Sequence, residues 1–312
     1  MKDELAVINE IRQKFHLPSH LGYGIGDDSA ILNLSEKILI TVDSMIENIH
    51  FDLSYTSFYH LGFKIVSVNV SDIYAMGGDF IGFLLAAALP ETTSDEDWNS
   101  LLKGINDALK LYGGYLIGGD ISKSKYLCLT GVAVGQTDKP ILRKGAEPGD
   151  FIFITAPLGV SACGLEVLKR FSADTEKIEK FKEAVMKHLM PVARNSKEFK
   201  SIAKAMIDIS DGLLIDLYRV CKENNLGAEI YLDKLPISDT VNKVAKSLNL
   251  DPLKLILSGG EDYELLVISD KKEDAINKGL LFIGKIVEDK AMYLVDPKRG
   301  RITTEPQGWK HF

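Results

Sequence analysis

Cysteine is scarce in this sequence, long apolar runs are missing, and positive charge is concentrated nowhere. The three cysteines among 312 residues, Cys128, Cys163 and Cys221, are odd in number, widely spaced and set among apolar neighbours. That excludes a disulfide framework and a cysteine-rich zinc site, and fits buried thiols in a reducing compartment. The best apolar run, residues 81–89, falls far short of the roughly 20 residues that cross a bilayer. The opening stretch MKDELAVINEIRQKF mixes charges of both signs with Leu5, Ile8 and Ile11 at helical spacing, unlike the uninterrupted apolar core of a signal peptide. A cytoplasmic location is therefore expected, and the sequons at Asn33 and Asn69 are expected to be chance matches. The net charge of −7 comes with no stripe of lysine or arginine, which argues against nucleic acid or an anionic membrane as partner. A polyanionic substrate would need bound cations.

Familiar nucleotide signatures are missing too. Residues 279–286 fit most of a P-loop pattern, but Ile286 stands where a Ser or Thr meets the metal, and bulky apolar residues fill the loop, so the segment reads as a strand. Gly22-Tyr23-Gly24-Ile25-Gly26 resembles a dinucleotide turn, yet Asp27 and Asp28 would face a pyrophosphate without counter-charge and the glycine spacing is wrong. Gly77-Gly78-Asp79-Phe80 lacks the glutamate of a cyclase signature, and no protein-kinase catalytic loop is visible.

What the sequence does have is aspartate at the joints. Asp27 and Asp28 lie in GIGDD, Asp43 in TVD, Asp72 in NVSD, Asp120 in GGD, and Asp208 and Asp211 in DISDG. Each alone is ordinary turn or cap chemistry. Together they are how a fold delivers ligands from distant parts of a chain, and gathered carboxylates are usually neutralised by hard, oxygen-seeking cations, Mg²⁺ above all. The pattern points to metal-assisted phosphate chemistry.

Periodicity predicts strands over 30–32 and 37–42, the latter ending at Asp43, then a long helix over 57–76 stopped by Gly77-Gly78, with Asp72 near its C-terminal end, where the helix dipole disfavours a carboxylate. A strand over 80–89, a helix over 94–111 capped by Ser94 and Asp97, a short strand over 115–117 delivering Gly118-Gly119-Asp120, and a strand over 125–135 follow. The loop-like stretch 135–150 marks a boundary, giving domains 1–138 and 139–312. The second half reads as strands over 151–155, 206–209, 228–232, 263–268, 281–286 and 291–295, with helices over 160–171, 175–189, 196–205, 213–223, 239–248 and 271–278. The class is α+β in two domains.

Outside the aspartates, His50 beside Phe51 is either a solvated loop residue or a substrate contact. Arg143 is a surface charge or a phosphate-reaching cation. Glu261-Asp262 follows Gly259-Gly260, where backbone would approach a ligand closely or simply turn. Trp309 either plugs the second domain or stacks on an aromatic substrate.

The ordered set GIGDDSA, TVDSMIENIHF, NVSDIYAMGG, LIGGD, RKGAEPGD, DISDGLLIDL, GGEDYELL and GWKHF resembles the thiamine-monophosphate kinase family over nearly the whole chain. That family belongs with aminoimidazole ribonucleotide synthetase, selenophosphate synthetase and the hydrogenase-maturation dehydratases. The resemblance implies an N-terminal domain with a mixed sheet that binds ATP and Mg²⁺ and forms a homodimer, and a C-terminal α/β domain completing the substrate site. It implies ATP-dependent phosphorylation of thiamine monophosphate to the diphosphate, assisted by several Mg²⁺ ions. Carried over by motif, the metal ligands are Asp27, Thr41, Asp43, Asp72, Asp120, Asp208 and Asp211. Gly119, Asp120, Arg143 and Ser210 match ATP-binding positions, and His50, Glu261 and Trp309 match the thiamine-phosphate pocket. No general base is assigned. Val42 and Ile121 stand where the family commonly has Thr, so a metal contact at Val42 must come from backbone oxygen. The rival readings are an ATP-dependent synthetase of the same superfamily and a non-catalytic nucleotide and Mg²⁺ sensor.

Overall fold

The computed structural model describes residues 13–15, 18, 20–23, 31–32 and 35–309. Asp27, Asp28 and most of the expected N-terminal helix lie outside the described residues. Two compact units result, one reaching as far as Tyr74 with Gly78–Pro140, the other Ala75–Gly77 with Ile141–Phe312. Among the described residues no helix is long and apolar enough to cross a membrane.

In the first unit, strands β1 (Gly22–Tyr23) and β2 (Ile31–Leu32) form a two-stranded antiparallel pair. A four-stranded mixed sheet follows, built from β3 (Lys37–Ile46), β4 (Asp79–Leu89), β5 (Tyr115–Lys123) and β6 (Cys128–Thr137) in the order β3-β6-β4-β5. Only β4 and β5 run parallel; the other pairs are antiparallel. Two expectations change here. Strand β3 does not end at Asp43 but continues to Ile46, because its ladder with β6 runs unbroken from Lys37↔Thr137 to Ile46↔Cys128. Likewise β5 extends through Asp120 to Lys123, paired along β4 as far as Leu89. Both aspartates therefore sit inside strands.

Helix α1 (Phe58–Ala75) lies on one face of this sheet, and α2 (Asp95–Tyr112) packs on α1. Helix α2 starts as expected, with Ser94 and Asp97 forming a reciprocal capping box. Gly62 of α1 and Gly104 of α2 let the two backbones touch: a Cβ at Gly62 would lie 2.1 Å from the Leu101 carbonyl oxygen, and one at Gly104 2.0 Å from that of Tyr59. Any side chain would drive the helices apart, so these glycines fix where α1, and hence Asp72, sits.

The second unit is a seven-stranded mixed sheet, order β13-β12-β9-β11-β7-β10-β8. Its strands are β7 (Phe151–Ile154), β8 (Ala205–Asp208), β9 (Gly227–Tyr231), β10 (Leu265–Ser269), β11 (Leu281–Val287), β12 (Met292–Asp296) and β13 (Gly300–Thr304). The P-loop-like segment is indeed largely strand, as β11. Helices α3 (Val160–Phe171), α4 (Thr175–Lys180), α5 (Lys182–Leu189), α6 (Leu213–Asn224), α7 (Asp239–Leu248), α8 (Pro252–Ser258) and α9 (Lys272–Asn277) surround it in sequence. The helix expected over 175–189 breaks at Phe181, whose φ of −112° leaves the helical range. The helix expected over 196–205 is absent; that stretch forms turns. Phe199 and Ile202 are drawn into the core with Phe153, Met206 and Leu265, and this burial overrides the local helical pattern.

Candidate functional site

Thr41 and Asp43 are two residues apart on β3, so their side chains share a face, and that face meets α1. The Thr41 hydroxyl donates to Asp72 Oδ2 at 2.5 Å. One turn back along α1, Asn69 Oδ1 accepts the Asp43 backbone N–H at 3.1 Å while its Nδ2 donates to the Ile65 carbonyl at 2.8 Å. Asn69 is fully buried, so its sequon is closed to glycosylation. Gly131, opposite Asp43 on β6, makes this possible, since a Cβ there would lie 2.5 Å from Asn69 Nδ2. The structure thus brings Thr41, Asp43 and Asp72 together and adds Asn69, which the sequence offered only as a sequon.

Asp120 lies elsewhere. It pairs with Ala86, Ala86 with Thr130 and Thr130 with Ser44, so Asp120 and Ser44 end one row across the whole sheet. Three strand spacings separate them, about 14 Å. Row partners project to the same side, as the 2.8 Å contact between the Ser44 and Thr130 hydroxyls shows. Asp120 therefore shares the open face with Ser44, opposite the face of Thr41 and Asp43. Gly119 precedes it in the Asp43 row and is exposed.

His50 follows β3 in a tight turn. Its Nδ1 accepts the Ile46 N–H at 3.0 Å, and its own N–H donates to the Ile46 carbonyl at 2.9 Å. With Nδ1 accepting, the neutral ring carries its proton on Nε2. The half-buried ring is thus fixed in place rather than loosely solvated.

The second unit holds its own acidic set. Asp208 ends β8 and is buried. The following turn wraps around Asp216, whose Oδ2 accepts the N–H groups of Ser210, Asp211 and Gly212 at 3.1, 3.0 and 3.1 Å. Arg219 bridges the pair, reaching Asp216 Oδ1 and Asp211 Oδ2 at 2.5 Å each. Burial pushes the Asp216 carboxyl up to about 6 against the downward pull of Arg219. Neither Asp216 nor Arg219 was singled out from sequence, although an Asp three residues before an Arg on a predicted helix is a legible ion pair.

The loop 259–264 lies against this turn. The Glu261 N–H donates to the Ser210 carbonyl at 2.6 Å and the Tyr263 N–H to that of Ile209 at 3.0 Å, while the Trp309 N–H donates to the Asp211 carbonyl at 3.0 Å. Ser210, Asp211, Glu261 and Trp309, separate in sequence, are thereby joined through backbone. Trp309 is 49% exposed, which is too open for a buried plug. Fully buried Asp262 accepts the Gly159 and Ser161 N–H groups at 2.6 and 3.1 Å, and burial raises its carboxyl to about 6. Arg143 is exposed; its carbonyl accepts from Asn224 Nδ2 at 2.8 Å, and Asn224 Oδ1 takes the Gly145 and Ala146 N–H groups. The end of α6 thus shapes the loop that carries Arg143. Cys163 and Cys221 are buried thiols raised to about 12 by desolvation, while Cys128 is part-exposed.

Among the described residues no three Asp, Glu, His or Cys side chains are already grouped as a metal cage. The donors at Thr41, Asp43 and Asp72 are all oxygen, the chemistry that suits Mg²⁺ and disfavours zinc or copper.

The family model described as AIR synthase related protein, N-terminal domain, matches residues 26–137, and that of the C-terminal domain matches 147–296. The two units are thus those of an AIR synthase-related, two-domain α+β protein. The thiamine-monophosphate kinase of Aquifex aeolicus is 35% identical over 292 residues, 92% of each chain, and that of Bacillus subtilis 30% identical over 99% of each. A solved chain described as AaThiL complexed with AMPPCP and TMP is 32% identical, with a TM-score of 0.82 over 100% of this chain and 99% of that one. The chain belongs to the thiamine-monophosphate kinase family, a family of phosphotransferases.

Proposed function

We propose that this chain transfers the γ-phosphoryl of ATP directly to thiamine monophosphate, giving thiamine diphosphate and ADP. The observation that carries this reading is the likeness, at a TM-score of 0.82, to a chain complexed with AMPPCP, a non-hydrolysable ATP analogue, and TMP. The oxygen-only set at Thr41, Asp43 and Asp72 supports it chemically.

Donor and acceptor are both anions. One unit-charge pair at about 4 Å costs about 4 kcal/mol at an effective dielectric near 20. Several Mg²⁺ ions, when bound, would screen that repulsion and favour in-line alignment of donor and acceptor. In the first unit Thr41, Asp43, Asp72 and Asp120, with Asp27, are the proposed ligands; in the second, Asp208 and Asp211. Gly119, Asp120, Arg143 and Ser210 are assigned to ATP, and His50, Glu261 and Trp309 to thiamine monophosphate. An acceptor phosphate with a second pKa of about 6 is already largely ionised at neutral pH, so no residue has to remove a proton.

A homodimer through the first unit belongs to the same reading. Ile38, Ile40 and Val42 alternate along the open face of β3 at 55, 71 and 60% exposure, an apolar row of the kind that marks an interface. Asp120 ends a row on this same open face, so a second copy seated there would approach Asp120 rather than Asp43. The reading places the enzyme in the cytoplasm with neither nucleic acid nor membrane as partner. Incubation of the purified protein with ATP, Mg²⁺ and thiamine monophosphate is expected to yield thiamine diphosphate and ADP one for one. ADP with inorganic phosphate and no diphosphate would overturn the proposal.

A further inference from the structure

Glu261 sits on a constrained backbone. Its φ is +63° and that of Tyr263 is +51°, left-handed values that non-glycine residues rarely adopt. The residue between them, Asp262, is tied to the start of α3 through the N–H groups of Gly159 and Ser161. Glu264 beyond is held by Thr155 and Lys187, each at 2.8 Å. These contacts fix the backbone of the loop but leave the Glu261 side chain to be oriented by something else. That neighbour is His188, in the last turn of α5, whose side chain is 5% exposed and whose Nδ1 lies 3.1 Å from Glu261 Oε2. The same nitrogen is 3.2 Å from Ser161 Oγ. An ionised carboxylate only accepts, so the proton of this contact belongs on His188 Nδ1.

We propose that His188, steadied by Ser161, is a positioning residue that holds the Glu261 carboxylate in the orientation required to bind the phosphoryl acceptor. The inference rests on the assignment of Glu261 to the thiamine-monophosphate pocket made above. Lys187 is the adjacent cation, but it serves Glu264. Ser161 serves two purposes, since its N–H anchors Asp262 while its hydroxyl abuts the histidine, so α3 and α5 together fix both the main chain and the side chain at position 261.

The test is a double-mutant cycle read on the two Michaelis constants separately, with melting temperature recorded for each variant. His188→Leu removes the donor and keeps a comparable apolar volume. It is expected to raise the KM for thiamine monophosphate about tenfold, the usual scale of one lost hydrogen bond to a charged group, with the KM for ATP within about twofold. His188→Asn, whose amide nitrogen sits close to where Nδ1 was, is expected to recover most of that loss; His188→Gln, with its amide one carbon further out, is not. In the Glu261→Gln background His188→Leu should add little, because residues acting through one contact are non-additive. Equal rises in both KM values, no recovery by Asn, or full additivity would each overturn the positioning role while leaving Glu261 in the pocket. An unchanged acceptor KM in Glu261→Gln alone would instead overturn the assignment of Glu261, and the inference with it. If His188→Leu does not fold, the Asn and Gln pair carries the same comparison.

Discussion

The two sheets differ in how fully they are covered, and the two acidic sets differ in the same way. In the seven-stranded sheet, β8 and β10 are buried along their whole length. In the four-stranded sheet, β3 buries Leu39 and Met45 on one face and leaves Ile38, Ile40 and Val42 open on the other. Three acids of the second unit outside the proposed ligand set are satisfied from within: Asp216 by three backbone N–H groups and Arg219, Asp262 by two N–H groups, Glu264 by Lys187 and Thr155. In the first unit, Asp72 is bonded by the Thr41 hydroxyl, and the main chain at Asp43 by the Asn69 amide. Buried charge that has a fixed counter-charge or several donors is structural; carboxylates presented beside hydroxyl and amide oxygens are suited to a cation from outside. The contrast teaches that Asp216, Asp262 and Glu264 hold the shape of the second unit, and it agrees with the proposal that Asp43 and Asp72 of the first unit serve a bound cation.

The largest effect that would sharpen this contrast is expected at Asp43 and Asp72. Asp43→Asn and Asp72→Asn keep shape and remove charge, so turnover should fall by about a thousandfold or more, the scale lost when electrostatic stabilisation of the transition state is removed, with the melting temperature nearly unchanged. Near-normal turnover at limiting Mg²⁺ in either variant would break the contrast. Next in size is the open face. Ile40→Asp puts a charge where apolar contact is proposed, and the dimer dissociation constant should rise about a hundredfold or more by sedimentation, while the separated chain stays folded. A monomeric wild type, or a variant that dimerises as tightly, contradicts the proposed interface.

A smaller effect concerns pH. Asp262 binds its proton more tightly in the folded chain, with a value of about 6 against 3.8. A raised carboxyl costs stability as pH climbs from the unfolded value through the folded one, at up to about 1.4 kcal/mol per pH unit. Denaturation from pH 4 to 6 should therefore show a decline in the wild type that is shallower in Asp262→Asn. Parallel profiles would mean that Asp262 does not titrate in that window. The smallest effect is at the C-terminal tryptophan: Trp309→Ala should raise the KM for thiamine monophosphate about threefold to tenfold and that for ATP less, in line with one lost aromatic contact. Equal effects would return Trp309 to a packing role.

Much of the fold was legible because local rules agreed with tertiary ones. The Ser94 and Asp97 cap, the long helix ending just past Asp72, and the strands around 80–89 and 151–155 follow from capping and periodicity alone. What was not legible is set by partners remote in sequence. Strand β3 runs past Asp43 because β6 continues to pair with it. The stretch 196–205 loses its helix because Phe199 and Ile202 are pulled into the core. In the site, the DISDG and GGED motifs stood out as motifs, but nothing local says that the Glu261 N–H bonds the Ser210 carbonyl, or that Arg219 reaches Asp211 as well as Asp216. Buried polar partners are chosen across the fold, and the roles of Asn69 and His188 became visible only there.

The difference between the two acidic sets is tested most directly by calorimetric titration of Mg²⁺ into the protein saturated with AMPPCP, comparing wild type with Asp72→Asn and Asp262→Asn. The expected result is that Asp72→Asn loses Mg²⁺ binding by about tenfold or more, whereas Asp262→Asn titrates like the wild type. Equal Mg²⁺ affinity in all three proteins, or none in the wild type, would contradict it.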